Sequence, residues 1–592
     1  MNKQITNRKK NETNLGLRLI LVWLILVAGM FGLGYRLYQL QIIGVIGKDK
    51  QHNLAEEASL QRQISLEPYS PRRPIIDRHG NTFAIDRIVY TLYIQPKRFN
   101  HDHDQLKIAQ ELGKVITEFT TEDLLKKFQQ KESRILITSN LSESQASEIR
   151  SLTINQKLIE GIELVSRYSR FYPQEKTVSD VIGYVQFDTR KGQAGVENSQ
   201  DKLLVRDPKV VQLIRDGKGN LMPFNHQQEI FWNFDDLSLQ LTLALPLQRD
   251  ARKALQAQMK ESEALRGAVV VMDVHDGAIL AMVSEPSYDP NNYPQFDVSL
   301  FKNWAISDLY EPGSTFKPIN MAIAWEAGVI DDNTIINDTG KISVDGWPIL
   351  NHDFGEKGAR GNINLAQILQ YSSNIGMIRI MEKMKSSSYY DKLKSLGIEE
   401  TTGIDLPGEV GGKLKEKSIF TRGQIEVATA SFGQGFSLTP LKILQLQAAI
   451  ANGGKLVTPH VVQGLVDSKG KYHWQPQLKT KQVFSAKTTQ KVLKLMESVV
   501  QGGSGQNAQV EGYRIAGKTG TSQKASPTGG YLPNAKITSF VAIVPVDQPR
   551  YVMLVVVDEP KKPLSFGSTV AAPIAQKVLN SLLFQEKIPP SK

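Results

Sequence analysis

Apolar positions recur along this chain in three patterns, and each predicts a different kind of element. The first is a continuous run. Leu19 to Tyr35 carries no charge, and extending it back to Leu15 admits only Arg18. A helix needs about 20 such residues to cross a bilayer. Lys3, Arg8, Lys9 and Lys10 precede the run, which places the N-terminus in the cytoplasm. The run is long for the core of a cleaved signal peptide, and no Ala-x-Ala site ends it. We therefore expect a cytoplasmic tail (1–14), an uncleaved membrane anchor (15–35) and the rest of the chain on the outer side. No later run of that length is free of charge.

The second pattern is short and mixed. Tyr38 to Ser65 is polar and Gln-rich and reads as a helical stalk. Ser70 to Pro74 is extended. Asp77-Arg78-His79-Gly80 before Thr82 to Ile85 marks a hairpin turn. His101-Asp102-His103-Asp104 has no further ligands at useful spacing, so it reads as a loop before a helix from Gln105 to Ile116 rather than a metal site. From about 100 to 235 short helices and strands alternate. Arg170-Phe171-Tyr172-Pro173, Gly195-Val196-Glu197 and Arg215 to Gly219 stand out, but none has an active-site arrangement. Residues 36–236 read as an elongated mixed α/β platform.

The third pattern is β-branched runs bounded by turns. Gly267 to Asp273 and Ala278 to Val283 are joined by His275-Asp276-Gly277, a strong hairpin signal. Ile537 to Val544 and Tyr551 to Val557 give two more strands, and Ala571 to Phe584 a closing helix. Ahead of them, Leu237 to Leu245 reads as a strand and about Pro246 to Glu263 as a helix. Helices dominate between the strand groups. The expected fold class is α+β: an antiparallel sheet with flanking helices and a helical subdomain over 237–586, then a tail, 587–592.

Composition narrows the chemistry. The chain has 592 residues, 41% of them hydrophobic, so several folded units are expected. It has no cysteine, which excludes disulfides, thiolate catalysis and Cys-based zinc sites. The net charge of +11 is scattered. No nucleic-acid module accompanies it, so it reads as a basic surface near an anionic envelope.

The chemistry centres on Ser314 and Lys317. They stand three apart on one face of a helix start, within reach of each other, as a serine nucleophile with a lysine base requires. Pro312-Gly313 breaks the chain before them, and Pro318 is tolerated in the first turn. Alone, Ser-x-x-Lys is common. Downstream stand Ser372-Ser373-Asn374, then Lys518-Thr519-Gly520-Thr521 in a segment that reads as a strand. Glycines 517 and 520 would leave that strand open to a ligand backbone. Gly512 to Thr519 also fits G-x-x-x-x-G-K-T, but that phosphate loop needs a strand before it and a helix at the lysine. The surrounding glycines, serines and Pro527 argue against a helix.

Ser-x-x-Lys, Ser-x-Asn and Lys-Thr-Gly in this order resemble the penicillin-binding proteins and serine β-lactamases. With anchor and platform, nearly the whole chain resembles a class B penicillin-binding protein, a peptidoglycan D,D-transpeptidase. Arg72, Asp77, Arg78 and Gly80 match the family motif near the platform's start; Arg73 and His79 depart from it. Ala244 stands where the family usually has an acid, and Asp180 where it has a His, which puts partner contacts in doubt. Glu311-Pro-Gly-Ser, Ser372-Ser-Asn374, Phe432-Gly-Gln-Gly435 and Lys518-Thr-Gly look like the division (septal) branch rather than the elongation branch. No segment resembles a glycosyltransferase.

The resemblance implies a substrate, a stem peptide ending in D-Ala-D-Ala, and no cofactor or metal. It implies Ser314 as nucleophile and Lys317 as base, with Lys518 as the second cation. Ser372 would relay the proton, and Asn374 would hold the peptide. Thr519, Gly520 and Thr521 would line the substrate strand, and the backbone N–H groups of Ser314 and Thr521 would form the oxyanion hole. β-Lactams would acylate Ser314. Implied partners are a membrane-embedded glycosyltransferase and division proteins, at the septum; nucleic acid is not among them. An elongation-type transpeptidase, a β-lactam-hydrolysing or sensing relative, a non-catalytic division scaffold and the nucleotide-binding reading stay open as alternatives.

Overall fold

The computed structural model describes residues 4–43, 63–66, 70–99, 105–130, 132–155, 161–206, 211–214, 234–526 and 529–591. Contacts divide the chain into two units, 1–70 with 207–235 and 71–206 with 236–592. The first unit contains α1 (Gln4–Tyr38), which widens into a single π-helical turn at Gln39–Ile43. Its segment Leu15–Ile42 is long and apolar enough to cross a membrane. The stalk expected to be helical to Ser65 instead ends in a strand, Gln63–Leu66, paired antiparallel with Val211–Ile214. His101 to Asp104 and Arg215 to Gly219 lie outside the described residues.

The second unit holds a seven-stranded sheet. The expected hairpin forms between β1 (Ile75–Ile76) and β2 (Thr82–Ile94). Its turn is built on the buried Asp77, whose Oδ1 accepts N–H bonds from His79 and Asn81 at 2.8 Å each. β2 lies between β3 (Ile135–Leu141) and β4 (Ile162–Phe171), antiparallel to both. On the other side β1 runs parallel to β5 (Ser238–Leu241). Beyond β5 the sheet continues with Val462–Val466 and then Tyr472–Trp474, contributed more than two hundred residues later. The strand expected over Leu237 to Leu245 therefore ends at Leu241 and belongs to this sheet. Its apolar run continues because Leu243, Ala244 and Leu245 are buried at the start of α2 (Leu245–Ser262), where Pro246 suits the first turn.

Under this sheet lies a buried ion cluster. Glu197, fully buried, bridges two arginines: Oε2 meets Arg72 Nη2 at 3.0 Å and Oε1 meets Arg170 Nε at 2.6 Å. Asp201 completes Arg72 at 2.8 Å, and Asp86 completes Arg170 at 3.0 Å. The conspicuous Arg170 and Glu197 segments are thus structural anchors. Asp180 is also internal. It pairs with Arg252 on α2 and accepts the Ser284 N–H at 3.2 Å. The departures at Asp180 and Ala244 change interior packing, not a partner surface.

The second sheet of this unit has the order β8-β9-β10-β6-β7 and is wholly antiparallel, as expected. Its strands are β6 (Arg266–Asp273), β7 (Ile279–Glu285), β8 (Ala516–Ala525), β9 (Tyr531–Val544) and β10 (Tyr551–Asp558). The near-continuous apolar runs follow from burial on both faces. Ala268, Val270 and Met272 face one core, and Val269 and Val271 the other. The second core is closed by α2 and the C-terminal α7 (Ala572–Gln585). The first is filled by α3 (Lys317–Glu326), α4 (Asn374–Met381), α5 (Pro440–Ala451) and α6 (Ala486–Gly502). Every residue of α5 is buried, which marks it as the central helix.

Candidate active site

Ser314 sits in a tight turn, Gly313–Phe316, that runs directly into α3. Gly313 has φ +55° and its N–H bonds to the Gly433 carbonyl at 2.9 Å. A Cβ at Gly433 would fall 2.1 Å from the Gly313 oxygen, so the Phe432-Gly-Gln-Gly435 loop holds the serine turn by backbone contact. Lys317 opens α3 and is fully buried, which is rare for a lysine.

Three segments converge on Lys317. Its Nζ donates to the Ser372 carbonyl at 2.6 Å, Asn374 Oδ1 at 2.9 Å and Ser372 Oγ at 3.3 Å. Lys518 arrives from β8, also fully buried, and donates to the same Ser372 Oγ at 3.0 Å and to the Thr519 carbonyl at 3.0 Å. One hydroxyl thus bridges two ammonium groups. Burial drives the Lys317 pKa well below the usual lysine value, and the Lys518 charge adds to it; Asp338 and Asp353 oppose the shift. Burial alone brings Lys518 down to about 7. Neither Nζ has a carboxylate hydrogen-bond partner among the described residues, so neither shift is cancelled by a direct ion pair.

The side chains open onto one cleft of about 480 Å³, lined by Ser314, Ser372, Asn374, Thr519 and Thr521, with His352, Asp353, Gln434, Lys536 and Phe566 around them. Thr519 Oγ1 shares a 2.7 Å bond with Ser504 Oγ, and Thr521 Oγ1 accepts the Gly567 N–H at 3.0 Å. No helix opens at Lys518, which stands within a strand, so the phosphate-loop reading falls. Close packing also requires a glycine in this strand. A Cβ at Gly520 would meet Ser539 Oγ at 2.4 Å and Thr315 Cγ2 at 2.9 Å. The missing side chain lets the strand lie against the serine turn.

The described part of the chain thus gathers Ser314, Lys317, Ser372, Asn374, Lys518, Thr519 and Thr521 around one cavity. Comparison with known proteins identifies the family. The model for the penicillin binding protein transpeptidase domain matches residues 267–580, and that for the penicillin-binding protein dimerisation domain matches 67–229. The chain belongs to the penicillin-binding protein transpeptidase family. Among its relatives, a peptidoglycan D,D-transpeptidase FtsI homolog of Mesostigma viride is 40% identical, covering 97% of this chain and 96% of its own length. Stage V sporulation protein D of Bacillus subtilis is 32% identical, covering 92% and 82%. Peptidoglycan D,D-transpeptidase FtsI of Escherichia coli K12 is 29% identical, covering 95% and 91%. The crystal structure of penicillin binding protein 3 from Mycobacterium tuberculosis, complexed with aztreonam, shares the fold with a TM-score of 0.65 at 23% identity, covering 89% of this chain and 98% of its own.

Within the penicillin-binding fold, the structural roles of several residues around the site escaped sequence reading. Glu311, three residues before Ser314, accepts the Gly435 N–H and the Tyr531 hydroxyl at 2.9 Å each, tying the glycine loop and β9 to the serine turn. Burial pushes its carboxyl pKa up. The helix ahead of the Ser-Ser-Asn segment begins at Leu365, because Gly361–Asn364 pairs as a strand with Ile335–Asp338. That pairing brings Asp338 beneath the Ser-Ser-Asn segment. Asp338 and Asn351 carry no local motif and had no signal in the sequence.

Proposed function

We propose that the chain is a septal peptidoglycan D,D-transpeptidase working through an acyl-serine. The observation that carries this reading is the convergence of two fully buried lysines on one serine hydroxyl in the cleft that Ser314 lines. A base must be neutral to accept a proton, and burial beside a second cation favours the neutral form of Lys317. Lys317 takes the Ser314 proton as Oγ attacks the penultimate D-Ala carbonyl. Oγ–C forms, the carbonyl oxygen takes the electron pair, and the backbone N–H groups of Ser314 and Thr521 stabilise it. Ser372, bonded to both lysines, delivers the proton to the leaving D-Ala nitrogen as the C–N bond breaks. Asn374, Thr519, Gly520 and Thr521 hold the peptide, and the Lys518 charge receives its terminal carboxylate. An amine of a neighbouring stem then attacks the acyl carbon, and Ser314 leaves with its proton restored.

The anchor would place residues 36–592 outside the membrane, with a platform over 36–236 and the transpeptidase over 237–586. Glu311, Ser372-Ser-Asn374 and Lys518-Thr-Gly support the division branch. Its partners would then be a membrane glycosyltransferase and other division proteins. The test is a labelled penicillin. The full chain in detergent should take covalent label that is absent from S314A; label persisting on S314A would sink the scheme. A fluorescent fusion gathered at the division site supports the septal role, and a uniform lateral signal opposes it.

A further inference from the structure

The Ser-Ser-Asn segment is held in an uncommon shape. Ser372 has φ +56°, the left-handed region that a residue with a Cβ rarely adopts. Something must over-determine it. Directly behind it lies a buried polar pair, Asp338 (0% exposed) and Asn351 (4%). Asp338 comes from the end of strand Ile335–Asp338, and Asn351 from the residue after the hairpin strand Trp347–Leu350.

The pair is fully wired. Asn351 Nδ2 donates to both Asp338 carboxylate oxygens at 2.9 Å. Asn351 Oδ1 accepts the backbone N–H of Asn374 at 2.8 Å and of Ile375 at 3.2 Å, so it satisfies two otherwise orphaned donors at the start of α4. Asp338 Oδ2 accepts the Ser373 hydroxyl at 2.7 Å, and Oδ1 accepts the Gly340 N–H at 2.8 Å. Ser373 Oγ in turn accepts the Gly376 N–H at 2.8 Å. Every bond needs the acid at 338 and the amide at 351: the amide can turn one end to the acid and the other to α4 in only one way.

We infer that Asp338 and Asn351 are positioning residues that fix Ser372 in its left-handed turn and aim Asn374 at Lys317. This rests on the transpeptidase reading and deepens it. Neither residue lines the cleft; both act through the segment between Ser372 and Ile375. Asp338 also acts at a distance. The charged and titratable groups facing Lys317 are Lys518, Asp338, Asp353 and His352, and Asp338 is the fully buried acid among them.

The wiring makes an exchange test possible. In D338N two amide NH2 groups face each other, or the Asn351 amide flips and faces the α4 N–H groups; a donor meets a donor either way. In the double variant D338N/N351D the amide at 338 donates to the carboxylate at 351. That carboxylate still accepts from Asn374 and Ile375, and the Ser373 hydroxyl turns toward it across the present 3.3 Å separation. We expect penicillin acylation per folded molecule, measured in the full chain, to fall about a hundred-fold in D338N and to recover most of that in the double variant. The pH profile gives a readout that structural damage alone would not move. Loss of the acid lowers the Lys317 pKa, so whatever acylation D338N retains keeps its rate to lower pH than wild type.

D338N with wild-type acylation per folded molecule, or with an unmoved acid limb, overturns the inference. So does a double variant that fails to fold or acylates no better than D338N. If D338N does not accumulate as folded protein, recovery in the double variant decides alone. A wild type that takes no label sinks the transpeptidase reading itself and this inference with it.

Discussion

This molecule buries cations in two places and treats them in opposite ways. Under the platform sheet Arg72 and Arg170 meet Glu197, Asp86 and Asp201 at 2.6 to 3.0 Å. In the cleft Lys317 and Lys518 meet only hydroxyls, carbonyls and an amide oxygen. Burial costs a charge several kcal/mol in either place. In the platform, close carboxylates offset that cost, and Arg170 is held more firmly protonated than in water. In the cleft the cost stands, and it appears as lysines that surrender their protons readily. The residue types suit the two tasks: an arginine stays charged and forks onto carboxylates, whereas a lysine changes state when desolvated. Burial with carboxylate partners anchors; burial without them favours the neutral amine that a base needs.

The largest effect that would sharpen this contrast is at Lys317. K317M should reduce acylation by penicillin about 10³- to 10⁴-fold while the protein stays folded, read as covalent label over time. Normal labelling would remove Lys317 as base. Next is K518M, with a loss of about 10²- to 10³-fold for ligands that carry a carboxylate. Its pH profile carries the sign. Removing the neighbouring cation raises the Lys317 pKa, so the acid limb should move to higher pH. In wild type, Lys518 loses its proton around about 7, so the rate should decline on the alkaline side, and K518M should lack that decline.

Lys518 also bears on stability. Its folded pKa lies below its ordinary value of 10.5, so between those values the unfolded chain binds more protons. Stability should therefore rise with pH over that window, and the rise should flatten in K518M, measured by thermal melting.

E197Q attacks the other side of the comparison. It leaves two buried arginines short of a partner and should cost about 3 kcal/mol of stability, seen in denaturant melts, with acylation per folded molecule unchanged. A loss of acylation without a loss of stability would break the distinction between the two regions. The smallest effect is expected from T519V. It removes one hydroxyl from the cleft wall and should slow acylation about three- to ten-fold.

The two regions also differ in how far they could be read from sequence. Ser314, Lys317, Ser372, Asn374 and Lys518 announce themselves because chemistry fixes residue types at short, recurring spacings. The hairpin at Asp276-Gly277 was legible because its turn demands particular residues, and Gly277 indeed has φ +87°. Arg72 and Glu197 stand 125 residues apart, so no local pattern links them. Asp338 and Asn351 were hidden for the same reason: a short strand and a hairpin end deliver them to Ser373. The strand end at Leu241 was misjudged because the apolar run passes without a break from a strand into a helix.

The sheet that begins with β3 and ends at Tyr472–Trp474 has a practical consequence. It passes through both halves that the family models separate, since β5 lies between β1 on one side and Val462–Val466 on the other. A shortened chain beginning at residue 237 would keep the whole cleft yet lose the neighbour of β5. An open strand edge of this kind recruits other chains. Cutting at the apparent boundary should therefore yield a sticky fragment, whereas a soluble piece starting near Pro71 keeps the sheet intact. The two halves are not beads on a string: a replacement for the first would have to bring a strand that fits beside β5.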